Sequence, residues 1–176
     1  MSIYTKTGDK GMTGVYGGKR VKKYDIQVEV TGALDEANAF VGVARDAVQD
    51  VETRVALSNT QLTLYSVMAY LAGAELNQSR VEEQTAALEK MIDALDKTLP
   101  KLTKFVLPQG GPTATALHVA RVTVRDAERR LVLYLDSKEV SAPEDATCIQ
   151  YLNRLSDALF MLARKYSKEE QIASNK

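Results

Sequence analysis

Between residues 33 and 99 the chain has two glycines, Gly42 and Gly73, and no proline, while Leu, Val, Ile and Ala return every three or four positions. That spacing stacks apolar side chains on one face of a 3.6-residue helix and does not fit the two-residue alternation of a strand. A chain patterned this way folds as packed helices. With 176 residues, 45% of them hydrophobic, it has enough apolar surface for one core and too little for two ordinary domains.

Five helices are expected. The first covers 33–48, with Leu34, Ala37, Phe40, Val41 and Ala44 on one side, and the second covers 51–72 through Val55, Leu62, Tyr65, Met68 and Leu71. A third opens on the capping-box spacing Ser79-x-x-Glu82 and turns Leu88, Met91, Ile92, Leu95 and Leu99 inward before Pro100 interrupts it. The fourth starts at Pro112, a residue suited to a first turn, and runs to Leu135, a length of about 36 Å at ~1.5 Å per residue. The fifth has a second Ser-x-x-Glu box, Ser141 to Glu144, followed by Ile149, Leu152, Leu155, Leu159 and Leu162. The fold expected is an all-α five-helix bundle in a single domain over 1–176, with a glycine-rich N-terminal loop (1–31), the bundle (32–166) and a polar tail (167–176).

Composition narrows the chemistry. Lys plus Arg equals Asp plus Glu at 23 each, so net charge gives no reason to expect nucleic acid or an acidic membrane surface as a partner. A single cysteine, Cys148, excludes an internal disulfide, and a single histidine, His118, leaves too few soft ligands for a protein-held zinc or haem, so no metal site is expected. Both read as packing residues. No apolar run of about 18 residues exists, and the N-terminus lacks the apolar core of a secretory signal, so a soluble cytoplasmic protein is expected.

Five of the ten glycines fall at positions 8, 11, 14, 17 and 18, among Lys6, Lys10, Lys19, Arg20, Lys22 and Lys23. Gly8-Asp9-Lys10-Gly11 and Gly17-Gly18 are good turns, so one reading is a short hairpin over the bundle. The other is an anion cradle, in which glycines let successive N–H groups converge while Thr5, Thr7 and Thr13 offer hydroxyls and Lys6, Lys10 and Lys23 offer charge. It is not a Walker A loop, since Gly18-Lys19 is followed by Arg20 and Thr13 stands where the first glycine is needed.

The fourth helix carries Arg121, Arg125, Glu128 and Arg129 within an arc of about 100°, beside its apolar stripe. Arg121 with Arg125 and Arg125 with Arg129 are like-charge i,i+4 pairs, and Glu128 cannot neutralise all three guanidiniums. An outside anion is wanted: a carboxylate of another helix or chain, or a ligand's phosphates. Asp35 and Glu36 read as first-turn acids favoured by the helix dipole. Asn153 is locally unfavourable inside a strong helix, which a buried hydrogen-bonding task would explain.

Together, Tyr4-Thr-Lys-Thr-Gly-Asp-Lys-Gly11, Gly32-x-Leu-Asp35-Glu-x-Asn38, Phe105-Val-Leu-Pro108 with Gly110-Gly111, Leu117-His-x-Ala-Arg121-x3-Arg125-x-Ala-Glu128-Arg129 and Tyr151-Leu-Asn-Arg-Leu-Ser-Asp157 resemble the PduO-type ATP:cob(I)alamin adenosyltransferases. The resemblance runs in order from residue 3 to about residue 165. It implies a homotrimeric bundle with ATP held at subunit interfaces and the corrinoid beside it. In that chemistry the Co(I) of cob(I)alamin attacks C5′ of ATP, giving adenosylcobalamin and triphosphate. Mg²⁺ is expected to share the phosphate charge, a flavin-type reductase to supply the electron, and an adenosylcobalamin-dependent enzyme to take the product.

Carried over by position, Thr5, Lys6, Thr7, Gly8, Thr13 and Gly14, joined by Lys23, resemble the polyphosphate loop. Arg125, Glu128 and Arg129 match nucleotide contacts, Arg125 on the triphosphate, and Asn153 matches an adenosine-side contact. Arg121 corresponds to the partner of Asp35 across the subunit boundary. Phe105 resembles the aromatic residue against the lower corrin face, where it displaces axial ligands and eases reduction to Co(I). Asp126 stands where members commonly have a second arginine and is placed to pair with Arg130. Gln109, Pro112 and the short tail also depart from the pattern. The alternatives are an ATP-binding sensor or interaction bundle without turnover, and a trimeric scaffold whose arginines only pair between subunits.

Overall fold

The computed structural model describes residues 3–138 and 140–168. Strands β1 (Met12–Gly14) and β2 (Arg20–Lys22) form an antiparallel hairpin with Thr13 opposite Val21. A 3-10 turn at Tyr16–Gly18 joins them, where Gly17 and Gly18 adopt φ of +81° and +80°, values that side chains resist. The hairpin reading of the opening is correct for its backbone. Helices α1 (Ile26–Ala47), α2 (Val51–Leu71), α3 (Gln78–Thr98), α4 (Pro112–Asp136) and α5 (Pro143–Lys165) follow.

Three helix starts differ from the sequence reading. Helix α1 begins at residue 26, well before 33, because the Asp25 carboxylate accepts from the Gln27 N–H at 3.0 Å and caps it. Asp35 and Glu36 therefore lie in mid-helix, and the first-turn dipole reading of them is wrong. Helix α3 is capped by Asn77, whose Oδ1 accepts from the Arg80 N–H at 3.1 Å, and Ser79 is already helical. At α5 the returning acid is Asp145, not Glu144: it accepts from the Ala142 N–H at 2.9 Å and from the Tyr70 hydroxyl at 2.8 Å. Helix α4 starts as expected, with Gly111 before Pro112 at φ +103°.

Helix α4 packs between α1 and α5, α2 lies on the other side of α1, and α3 lies against α5. Leu34, Leu64, Leu117, Leu131, Leu152 and Leu159 are fully buried in one core, each contributing roughly 1.5–3 kcal/mol through apolar burial. Cys148 and His118 are buried too, as expected. On α2 the expected stripe is displaced: Leu57, Leu64, Val67 and Leu71 face the core, while Val55, Leu62 and Tyr65 face outward, Tyr65 at 68% exposure. The helix is apolar on two sides, so periodicity alone could not select one. Among the described residues no helix is long and apolar enough to cross a membrane.

Candidate functional site

Three open clefts hold most of the residues singled out by the sequence. The first, about 540 Å³, lies between the hairpin and the α1–α2 pair and is lined by Thr13, Gly14, Tyr16, Thr31, Gly32, Asp35 and Tyr65, among others. The hairpin reaches this position because Tyr16 packs against Gly73, at the end of α2, and the Gln27 amide donates to the Leu71 carbonyl at 2.7 Å. Asp35 is exposed and has no hydrogen-bond or ion-pair partner among the described residues.

Ahead of β1 the chain turns tightly. Lys6 adopts φ +58°, a left-handed conformation uncommon outside glycine, and such local strain is concentrated at functional loops. The Thr5 and Thr7 hydroxyls lie 2.8 Å apart, Arg20 donates to the Thr7 carbonyl at 2.6 Å, and the Gly11 N–H closes a turn onto the Gly8 carbonyl at 3.1 Å. The Lys23 side chain lies over Gly8, so that a Cβ built there would come within 3.4 Å of its Nζ. Hydroxyls, a lysine ammonium and turn backbone are thus gathered in one exposed segment, the chemistry an anion requires.

The second cleft, about 610 Å³, is bounded by 102–106 of the α3–α4 loop and by His118, Arg121 and Phe160. Phe105 is 89% exposed at its edge, so it is not a core aromatic of this protomer. The Arg121 guanidinium stands over the Phe160 ring at 5.9 Å, and its Nε is buried without a hydrogen-bond partner. Burial and the charge of Arg125 lower its pKa. His118 is 5% exposed and its Nδ1 also lacks a partner; burial, then the Arg121 charge, lower its pKa and favour the neutral imidazole. Sequence reasoning gave His118 and Phe160 no part in this cleft. Each had a signal: His118 is one turn before Arg121, and Phe160 two turns after Asn153.

The third cleft, about 310 Å³, is formed by Arg125, Glu128, Arg129, Val132 and Asn153. Arg129 donates to Asp126 at 2.6 Å, and Arg130 to the other oxygen of Asp126 at 2.7 Å and to Glu29. Glu128 accepts from the Asn153 amide at 3.0 Å. Arg125 is exposed and makes no ion pair among the described residues. Asn153 is exposed rather than buried, so its task lies at the protomer surface. Cys148 has none of this character: it is fully buried and burial raises its thiol pKa to about 12, too high for a nucleophile.

The structure therefore brings Thr13, Gly14 and Asp35 together, Phe105 and Arg121 together, and Arg125, Glu128, Arg129 and Asn153 together. It does not join the three groups into one cavity within a chain; the clefts share no residue.

Fold and clefts define a five-helix bundle with surface sites suited to an anionic ligand and to a large apolar one. The family model for cobalamin adenosyltransferase matches residues 3–166, and the chain belongs to that family. A corrinoid adenosyltransferase of Bacillus subtilis (strain 168) is 39% identical over 171 residues, covering 93% of this chain and 86% of the relative. The Homo sapiens corrinoid adenosyltransferase MMAB is 38% identical over 178 residues, covering 96% and 70%. The structure of a variant PduO-type ATP:corrinoid adenosyltransferase from Lactobacillus reuteri, complexed with cobalamin and ATP, is similar with a TM-score of 0.86 at 31% identity, over 99% of this chain and 100% of that one.

Proposed function

We propose that this protein transfers the 5′-deoxyadenosyl group of ATP to the Co(I) centre of a reduced corrinoid, as a homotrimer whose nucleotide sites span neighbouring subunits. The observation that carries this reading is the pair of guanidiniums one helical turn apart, Arg121 and Arg125, neither with a carboxylate partner among the described residues. Two like charges so placed repel, and an arriving anion relieves that repulsion.

In the reaction the Co(I) electron pair forms a bond to C5′, the C5′–O bond breaks, and triphosphate leaves with the pair from that bond. The chain's contribution is electrostatic and positional. Arg125 and the Thr5–Gly8 turn, the latter from a neighbouring subunit, meet the charge that accumulates on triphosphate. The Glu128–Asn153 pair orients the adenosine side. Arg121 pairs with Asp35 of the adjoining subunit, locking the shared site. Phe105, held at the mouth of the second cleft, covers one corrin face and keeps axial ligands off the metal. Among the described residues no cluster of three or more His, Cys, Asp or Glu side chains is available to hold a metal ion. Mg²⁺ would accordingly be carried by the phosphate oxygens with the loop threonines nearby, and would neutralise part of their charge.

An anaerobic assay tests the proposal: ATP and chemically reduced cobalamin are mixed with the protein, and the Co(I) absorption and released triphosphate are followed. Loss of the Co(I) signal with stoichiometric triphosphate is expected. ATP binding with a persistent Co(I) signal would establish a nucleotide sensor instead.

A further inference from the structure

The loop that carries Phe105 has no regular structure from residue 99 to residue 111 apart from an isolated bridge at Val106, yet both of its ends are tied to the end of α5. At the entrance, Arg164 in the last turn of α5 donates from Nη2 to the Pro100 carbonyl at 2.7 Å. This arginine is only 4% exposed, and its charge also lowers the pKa of Asp96, whose carboxylate is paired chiefly with Lys101 at 2.7 Å. At the exit, the Lys168 N–H donates to the Gly110 carbonyl at 3.1 Å. Gly110 has φ +123°, and a Cβ built on it would meet the Ser167 hydroxyl oxygen at 2.2 Å, so the two backbones touch where only glycine fits.

We propose that Arg164 is a positioning residue for adenosyl transfer, acting through the loop: it fixes the entrance carbonyl, and with the Gly110–Lys168 bond it sets where Phe105 stands over the second cleft. Burying a guanidinium costs desolvation that its hydrogen bonds must offset, and leucine or methionine would pack at this position without that cost. The guanidinium supplies rigid, directional donors for a carbonyl of a loop with no ladder of its own. Phe105, at 89% exposure, gets little support from packing, so its position is inherited from these anchors. The inference rests on the reading of Phe105 as the corrin-facing group.

The experiment is a double-variant cycle. Wild type, Phe105→Ala, Arg164→Met, Arg164→Lys and the Phe105→Ala/Arg164→Met pair are assayed for kcat and for KM toward corrinoid and toward ATP, with melting curves on each. Arg164→Met is expected to lower kcat/KM for the corrinoid by on the order of 10- to 100-fold, the range for a misplaced reacting arrangement, with KM for ATP unchanged. Arg164→Lys falls between, and the pair is no worse than Phe105→Ala alone. If Arg164→Met does not fold, Gly110→Ala, which displaces the other anchor, takes its place in the cycle. Losses that multiply in the pair, an equal rise in KM for ATP, or wild-type kinetics in the anchor variant overturn the proposal. If Phe105→Ala is itself silent toward the corrinoid, the underlying reading of Phe105 fails, and with it the inference.

Discussion

Asn153 on α5 donates its side-chain amide to the Glu128 carboxylate on α4 across 3.0 Å, at the floor of the cleft that also holds Arg125 and Arg129. The contact engages one Glu128 oxygen, and Arg125 beside it makes no ion pair among the described residues. Asn153→Leu is expected to raise KM for ATP about 10- to 150-fold, the loss of one hydrogen bond to a charged group, and to leave KM for the corrinoid in place. Steady-state kinetics with each substrate varied in turn checks it; an unchanged KM for ATP takes Asn153 out of the nucleotide site.

Arg125→Ala is expected to cost at least ~2 kcal/mol in kcat/KM for ATP, about thirtyfold, because a charged phosphate contact is deleted. Arg125→Lys restores only part, since a point charge replaces a bidentate fork. Triphosphate release gives the readout. Arg129, already bonded to Asp126, should be the less sensitive of the two.

Asp35 and Arg121 line different clefts of one chain and make no ion pair within it among the described residues; on the proposed reading they pair between two chains. Asp35→Arg and Arg121→Glu should each shift the assembly toward smaller species, and the combined reversal should restore the trimer. Light scattering after size-exclusion chromatography decides this; a wild type that runs as a monomer at micromolar concentration and still turns over removes the shared-site proposal.

The single histidine gives a clean acid-side signature. Burial and Arg121 lower the His118 pKa, so the unfolded chain takes up a proton near pH 6.5 while the folded chain does so only further down. Between those two values the unfolded state binds more protons, so stability falls as pH falls below about 6.5 and is flat above it. The depressed carboxyls of Asp96 and Asp145 act in a separate window: their stabilisation is present above about pH 4 and is lost as pH drops further. Urea midpoints at pH 7.5 and 5.5 should therefore differ for wild type and differ less for His118→Asn. Equal differences would place the titration elsewhere.

Much of the bundle was legible because α4 buries a single stripe, α5 carries buried leucines at three- and four-residue spacing, and Pro112 and Pro143 sit where a first turn tolerates them. Helix α1 was read short because Gly32 looks like a boundary; its cost of roughly 1 kcal/mol relative to alanine is outweighed by Val30 and Leu34, both fully buried beside it. The α2 face was misread for the opposite reason, an excess of apolar positions. At the site, the arginine stripe and the glycine turn could be found by spacing, whereas the Asn153–Glu128 and Arg164–Pro100 contacts join segments 25 and 64 residues apart and exist only once the helices pack.

The glycine-threonine hairpin and the arginine stripe open into clefts with no residue in common, so on the reading proposed here one chain lends a half-site to its neighbour and borrows the other half back. Damage to either half is then a property of an interface and not of a molecule. Two separately dead chains, one broken in the hairpin and one in the stripe, regain some working junctions when they are co-assembled. In a mixed population of alleles, the phenotype would follow how subunits are shuffled into rings as much as which residue was lost.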